Sequence, residues 1–485
     1  MRMANEKGIA LVLSLFLLSA MSVIAASLMF LSQTETYSSM NYRLMSQARY
    51  GAESGIQKAA NHLLYTYVAP ITGGASDPIA NYNTNVSPVT CTNGCPNIGR
   101  PVVLSANGAI ASNYPDAAVQ AAFLAAVQGT LPAGNTTVAF APYATLLSMQ
   151  QIEVYGGGGV LKTIQTWQIT STGTITAGKT AQVEVSAVLE TPKFPAQLYG
   201  AFGTAGGCGT LNFHGNQTQT DSYDSGDALV GGNPVIANSG GNVGTNGNLT
   251  EGGGADIYGT LSSPRVGVGA CSDGNVNALS SSGGATVNGH NPPQAGDILQ
   301  LPQAVSLPTP WVPAGVPTTA YNGNGQTLLN GATVGNVMVN ANSTLTLGAP
   351  GVTSVININS ITINGNANLV ILGTVILNVV GSGETTPIDF TGGSVSNASF
   401  DPSTFRVMYA GTDAVKLNGG AHTTAMVYSP NARVSFNGGG DFYGSVVGAT
   451  IDDTGGARIH YDRRLSAEFW VVGNAMMSSF TWKKY

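Results

Sequence analysis

The chain has 485 residues and a formal net charge of −6 at pH 7, and only 9% of its residues are charged, against roughly 25% in ordinary soluble domains. That length leaves room for two or three domains and a substantial core. Basic residues never cluster, which argues against a nucleic-acid partner held by phosphate contacts. Short Val/Ile runs argue against disorder, and the 64 glycines with many Asn, Thr and Ser fit an extracytoplasmic β-rich protein.

The chain opens with Arg2 and Lys7, and then carries no charge from Gly8 to Thr34. Ile9 to Leu31, with Leu11, Leu13 and Leu17 inside it, is long enough to cross a hydrocarbon core of roughly 30 Å. The basic flank places the extreme N-terminus in the cytoplasm and the bulk of the chain across the inner membrane, on the periplasmic side. A cleaved secretory signal is the rival reading, because Ala20 and Ala25-Ala26-Ser27 lie inside the run. Beyond Glu35, apolar or small residues recur at Tyr37, Met40, Leu44, Ala48, Ala52, Ile56, Ala59, Leu63 and Tyr67, one face of a helix. No proline precedes Pro70, so one helix is expected from about Ile9 to Tyr67, roughly 90 Å long.

These residues carry a family resemblance. Lys7-Gly8-Ile9-Ala10-Leu11-Val12, together with Arg49-Tyr50-Gly51-Ala52-Glu53-Ser54-Gly55-Ile56, resembles the N-terminal segment of PilX-type minor pilins of type IV pili. The resemblance implies a leader over residues 1–8, cut by a prepilin peptidase between Gly8 and Ile9. It also implies an assembly helix over 9–67 that packs among other pilins. Ile9 stands where most major pilins have Phe, which leaves its N-methylation open. Leu13 stands where they carry a glutamate, so the chain lacks the carboxylate that pairs with a neighbour's terminal amine. That departure fits a rare subunit at a tip or in assembly initiation better than a repeating one.

A pilin-like α+β domain is expected over 68–193. Asn113-Tyr114-Pro115-Asp116 reads as the start of a short helix through Gln128, with Asn113 as the cap. Residues 149–155, 160–172 and 180–190 read as strands of a small antiparallel sheet. From 196 to 485 the texture becomes short apolar strands between Gly/Asn turns, such as Asn364-Gly365, Asn418-Gly419 and Asn437-Gly438. A β-solenoid is the favoured reading of this large all-β domain and a jelly roll the alternative. A Pro-rich strap over 301–317 interrupts it. This region also resembles a domain that accompanies the PilX-type segment in pilus proteins, through Asp221-Ser-Tyr-Asp-Ser225, Met426-Val-Tyr-Ser-Pro-Asn431 and Ile459-His-Tyr-Asp462.

Chemistry is sparse. Cys91, Cys95, Cys208 and Cys271 are an even set in an exported chain, so disulfides are expected, with three pairings open. Asp221, Asp224 and Asp227 share a Gly/Ser-rich loop that would suit calcium, although Asx-turns explain them equally and the EF-hand order is missing. No other cofactor is indicated. The five histidines form no H-E-x-x-H motif. A polysaccharide-active enzyme would need Asp441, Asp452, Asp453 and Asp462 to converge, and a non-enzymatic reading is preferred. Phe469, Trp470, Phe480, Trp482 and Tyr485 read as a cap over the last rung or as a contact for surface glycans or a tip adhesin.

Overall fold

A computed structural model describes residues 6–155, 161–417 and 422–484. The expected turn at Asn418-Gly419 and the terminal Tyr485 lie outside them. The chain divides into two compact units, one of Met1–Gln151, Thr163–Pro192 and Asn474–Tyr485, the other of Ile152–Lys162 and Lys193–Gly473. It is α+β, a long helix followed by mostly β structure.

In the first unit a single helix, α1, runs Glu6–Tyr65. Its C-terminal half buries Leu44, Ala48, Ala52, Ile56, Ala59 and Leu63, the stripe that the spacing of three and four foretells. The sheet beneath has the order Val103–Ser105, Thr136–Glu153, Leu161–Ala177, Lys179–Glu190, Met476–Lys484, with Gly129–Ala133 beside Thr136–Glu153. Its last member is the C-terminal strand, antiparallel to Lys179–Glu190 with Trp482 opposite Val185. Residues 474–484 thus belong to this unit and not to the 196–485 domain, and Phe480 and Trp482 are sheet residues rather than a cap. In chain order the second unit is inserted between two strands that pair with each other.

A second helix, α2, spans Ala117–Val127, and its cap is Asp116, whose carboxylate accepts from the Ala118 and Val119 amides. Asn113 is occupied elsewhere. Its side chain accepts from the Asn97 amide at 2.8 Å and donates to the Asn97 and Pro101 carbonyls, pinning the loop that precedes the helix.

The second unit is a 22-stranded sheet. Its registered strand pairs are parallel, each strand lying over its counterpart in an adjoining turn of chain. A jelly roll pairs its strands antiparallel, so that alternative does not describe this unit. The inward residues form ladders. One passes through Val337, Ile361, Ile388, Val415, Val434, Ile451, Leu211, Leu249 and Leu279, all of them buried. Side-chain amides make shorter ladders, as where Asn359 donates to Asn336 at 2.6 Å and Asn378 to Asn357 at 3.0 Å.

The ladder exposes an unusual chain path. The turn at 441–462 stacks on the turn at 201–223, so Ile451 lies beside Leu211 and His460 beside Asp221. The chain therefore enters mid-stack and winds outward to Ile298–Gln300. It then travels to the opposite end, re-enters at Ala320–Asn322 and winds back to meet its own beginning. The Pro-rich segment makes that journey. Its Leu301 amide bonds the Ser263 carbonyl, Val305 exchanges two bonds with the Asn246 side chain, and Tyr428 donates to the Pro308 carbonyl. Ten strands stacked at about 4.8 Å need roughly 43 Å, and 17 residues of polyproline-like chain supply about 50 Å.

Corners repeat as well. Asp453-Thr-Gly-Gly-Ala457, Glu251-Gly-Gly-Gly-Ala255 and Ser281-Ser-Gly-Gly-Ala285 each close a turn, with the alanine buried and the next residue opening a strand. Gly456, Gly254 and Gly284 sit at φ +81°, +82° and +84°, a backbone that a side chain would strain.

Leu211 is an interior residue of the ladder at the place where the chain meets its own end. Leu211→Ala should cost about 2–5 kcal/mol, measured by urea unfolding, whereas Thr327→Ala, at an exposed strand position, should cost under about 0.5 kcal/mol. Equal losses would contradict the ladder.

Candidate functional site

The N-terminal half of α1 is bare. Leu11, Leu13, Leu17 and Leu31 are 56–69% exposed. Ser14, Ser19 and Ser22 turn their hydroxyls back onto the Leu11, Phe16 and Leu18 carbonyls at 2.8–2.9 Å. This stretch therefore presents hydrocarbon with three of its serine hydroxyls satisfied internally, as suits a segment in lipid or in an apolar helix bundle. The helix is long and apolar enough to cross a membrane. Gly8 and Ile9 lie within its first turns, and the helical backbone runs unbroken through them.

The other half is clamped. A Cβ on Gly51 would strike Val138, one on Gly55 would strike the Ser171 hydroxyl, and one on Gly173 would overlap the Ala48 carbonyl oxygen. Helix and sheet thus approach at backbone distance, and this accounts for the two glycines in Arg49-Tyr-Gly-Ala-Glu-Ser-Gly55. Arg49 pairs with Glu53 at 2.7 Å and lies over the Trp482 ring. The Gly173 contact is one that sequence reading missed, because its partner is a helix more than 100 residues earlier. Next to the clamp, Tyr114 and Tyr82 both donate to Asp77, at 2.6 and 2.9 Å, and Tyr67 meets Tyr114 at 2.8 Å. Burial raises the Asp77 carboxyl above its usual range.

Cys91 bonds Cys95, and Cys208 bonds Cys271 across 63 residues. The second bridge holds the segment around Val268, which bridges the end strand at Leu279.

The three loop aspartates do not gather around a point. Asp221 is buried against His460 Nδ1, Asp224 accepts from the Gly226 amide in its own turn, and Asp227 is exposed. Among the described residues, no group of three or more His, Cys, Asp or Glu side chains is placed to hold a metal. The four later aspartates are likewise dispersed. Asp441 pairs with Arg458 at 2.7 Å, Asp452 with Arg433 at 2.6 Å and Asn212 at 3.2 Å. Asp462 accepts from the Ser225 and Arg464 amides, and Asp453 from the Ala457 amide. Each is tied to a structural partner. Phe469 is buried beneath Arg406, and Trp470 lies in a strand paired with Lys193–Pro195.

One constellation emerges that no motif announced. His460 is held between Asp221 on Nδ1 and Asp441 on Nε2 at 3.3 Å, with the Tyr443 ring 4.7 Å away. Burial works to lower the His460 pKa, but the bonds to the two carboxylates outweigh it and hold the pKa above its ordinary value. Asp441 is held below its ordinary value: burial opposes this, and His460 and Arg458 prevail. The carboxylates sit on opposite edges of the ring, so they share no point where a metal or substrate could meet all three.

Residues 7–57 match the PilX N-terminal family, and residues 332–468 match a domain of unknown function, DUF7305. Among solved structures, the competence-associated pilin ComZ from Thermus thermophilus aligns over 91% of this chain and 98% of its own at 12% identity. Its TM-score is 0.23, too loose a superposition to bear on fold or function. No match is found among curated proteins.

Gly173→Val should wedge α1 from the sheet and lower the unfolding midpoint of the first unit, at a cost of about 1–3 kcal/mol. Unchanged thermal unfolding would show that the close approach is not needed. Burial also pushes the Asp453 and Glu251 carboxyls up to about 7. Their cost to the folded state therefore grows as pH rises from the ordinary carboxylate range to about 7 and is constant above it. Asp453→Asn should stabilise the second unit at pH 8 by about 1–3 kcal/mol and little at pH 4. A gain of the same size at both pH values would contradict this.

Proposed function

The chain carries a PilX-type N-terminal segment ahead of a large C-terminal domain, and from this premise we propose a minor-pilin-like structural subunit of a type IV pilus or related filament. The observation that carries the proposal is the division of α1. Its first half is bare hydrocarbon, and its second half is locked to an antiparallel sheet by glycine contacts. Before assembly the bare half spans the inner membrane, with the folded units in the periplasm. A prepilin peptidase cuts between Gly8 and Ile9, the new terminus is a substrate for N-methylation, and the bare half then enters the helical bundle of the filament beside other pilins.

Leu13 narrows the role. With no carboxylate there, the helix cannot neutralise a neighbour's terminal amine in apolar surroundings, which favours one copy at a tip or in assembly initiation. The second unit is then the outward module. Its in-register parallel ladders and single-direction turns support a β-solenoid, a scaffold that offers long flanks to surface glycans or a tip adhesin. A polysaccharide-active enzyme is the second reading; the separate pairing of Asp441, Asp452, Asp453 and Asp462 disfavours it.

N-terminal sequencing of the mature protein tests the proposal. A chain beginning at Ile9 is expected, and one beginning near Ala26 or Ser27 would replace the proposal with ordinary secretion. Leu13→Glu should raise incorporation along the shaft, scored by immunolabelling. High-copy labelling of wild-type protein along the whole shaft would contradict the rare-subunit role.

A further inference from the structure

Among the described residues, the stack of the second unit has one place where neighbouring turns are not neighbours in sequence, the seam between 441–462 and 201–223. Elsewhere successive turns are joined by a short piece of chain, and parting them would stretch it. Across the seam only non-covalent bonds hold, and many are ionic or charge-assisted: Asn212 to Asp452, Arg463 to Ser222, Ser225 to Asp462 and His460 to Asp221. The DUF7305 match, 332–468, ends at this seam and leaves out the 201–301 turns on its far side. The two blocks are thus distinct in covalent path and in family match.

His460 stands on the seam with a carboxylate at each ring nitrogen. An imidazolium donates to both. A neutral imidazole has one N–H, so one carboxylate must then face a nitrogen lone pair, which is repulsive. We propose that the seam is a protonation-controlled latch, closed while His460 bridges Asp221 and Asp441 as an imidazolium and loosened when that proton leaves. The groups around it are few. The 219–223 strand contributes Asp221, whose other oxygen accepts from Gln219 at 2.9 Å. The 441–453 strand contributes Asp441 and Tyr443. The strand of His460 itself contributes Arg458, paired to Asp441, and Tyr258 lies near Asp221 from the next turn. Beyond Tyr443 stands His422, 6.5 Å from it.

The sign follows from the raised pKa of His460. Its stabilising contribution is fully present below the ordinary histidine value and is lost as pH rises through the raised one. Asp441 works at the other limit, where its contribution is lost as pH falls below the ordinary carboxylate range. The latch is therefore tightest between these limits and opens on the alkaline side.

Amide hydrogen exchange on the full chain in detergent, from pH 6 to 10 and corrected for intrinsic rates, tests the latch. Peptides over 219–223 and 458–462 should lose up to about tenfold in protection per pH unit between the ordinary histidine value and the raised one, and level off above it, while peptides over 356–363 stay level. Asp441→Asn removes the second carboxylate, so a neutral His460 can donate to Asp221 with nothing left unsatisfied; this variant should hold its seam protection at high pH. His460→Gln should be open at every pH. Seam peptides that track 356–363 throughout would overturn the proposal, as would an Asp441→Asn variant that opens with the same pH dependence as the parent. If His460→Gln fails to fold, the parent and Asp441→Asn decide.

Discussion

The second unit depends on one constraint: every turn of chain must lie in register on the turn beside it. A parallel strand in such a stack has its backbone satisfied by two neighbours and its inward side chain covered by the same two. A ladder like Val337 to Leu279 is therefore continuous or it fails. Here continuity is achieved although the chain itself is discontinuous at Ile451 and Leu211. The Pro-rich strap follows from this. A chain that enters mid-stack and fills one end first must cross to the other end, and an extended segment without ladder partners of its own can do so along the flank.

A similar economy governs the first unit. α1 serves two environments that ask for opposite surfaces, and it meets both by changing character near Leu44. Up to Leu31 its side chains are apolar or small and exposed, and Ser14, Ser19 and Ser22 fold their hydroxyls onto its own backbone. After Leu44, glycines and alanines bring the helix to backbone distance from the sheet. The sheet closes with a strand contributed after the whole second unit has been made, so Lys179–Glu190 and Met476–Lys484 pair across nearly three hundred residues. The first unit is complete only once that strand has been added.

What could be read in advance divides along lines of locality. The helix was legible because its signals, a charge-free run and then a stripe at three and four, lie within sixty residues. The strands ending at Ala177 and Glu190 were legible by alternation, but Thr136–Glu153 begins 13 residues before the expected start, because its N-terminal half alternates between apolar residues and Thr or Ala of modest contrast. Asn113 and Asp116 are equally good caps by type, and only the engagement of Asn113 with Asn97 decides between them. By sequence the C-terminal strand reads as a cap, because Phe480 and Trp482 look like an exposed aromatic patch until their distant partner is known. His460 and Asp221 are 239 residues apart and belong to no local pattern. The Gly-Gly-Ala corners are a local signal; aligned on Ala255, Ala285 and Ala457, they mark turn closures and the inward position before them.

The central claim is that the bare half of α1 is an assembly surface shared with other pilins. All four cysteines are already in disulfides, so a cysteine placed on that half is the single free thiol. Oxidative cross-linking of a Leu17→Cys chain in sheared filaments, with cysteines placed at the facing positions of the neighbouring pilins, tests the claim. The account predicts a cross-linked product in the filament fraction that contains this chain and a pilin. A chain found only in membrane or secreted fractions, with no cross-link at Leu17, would contradict it.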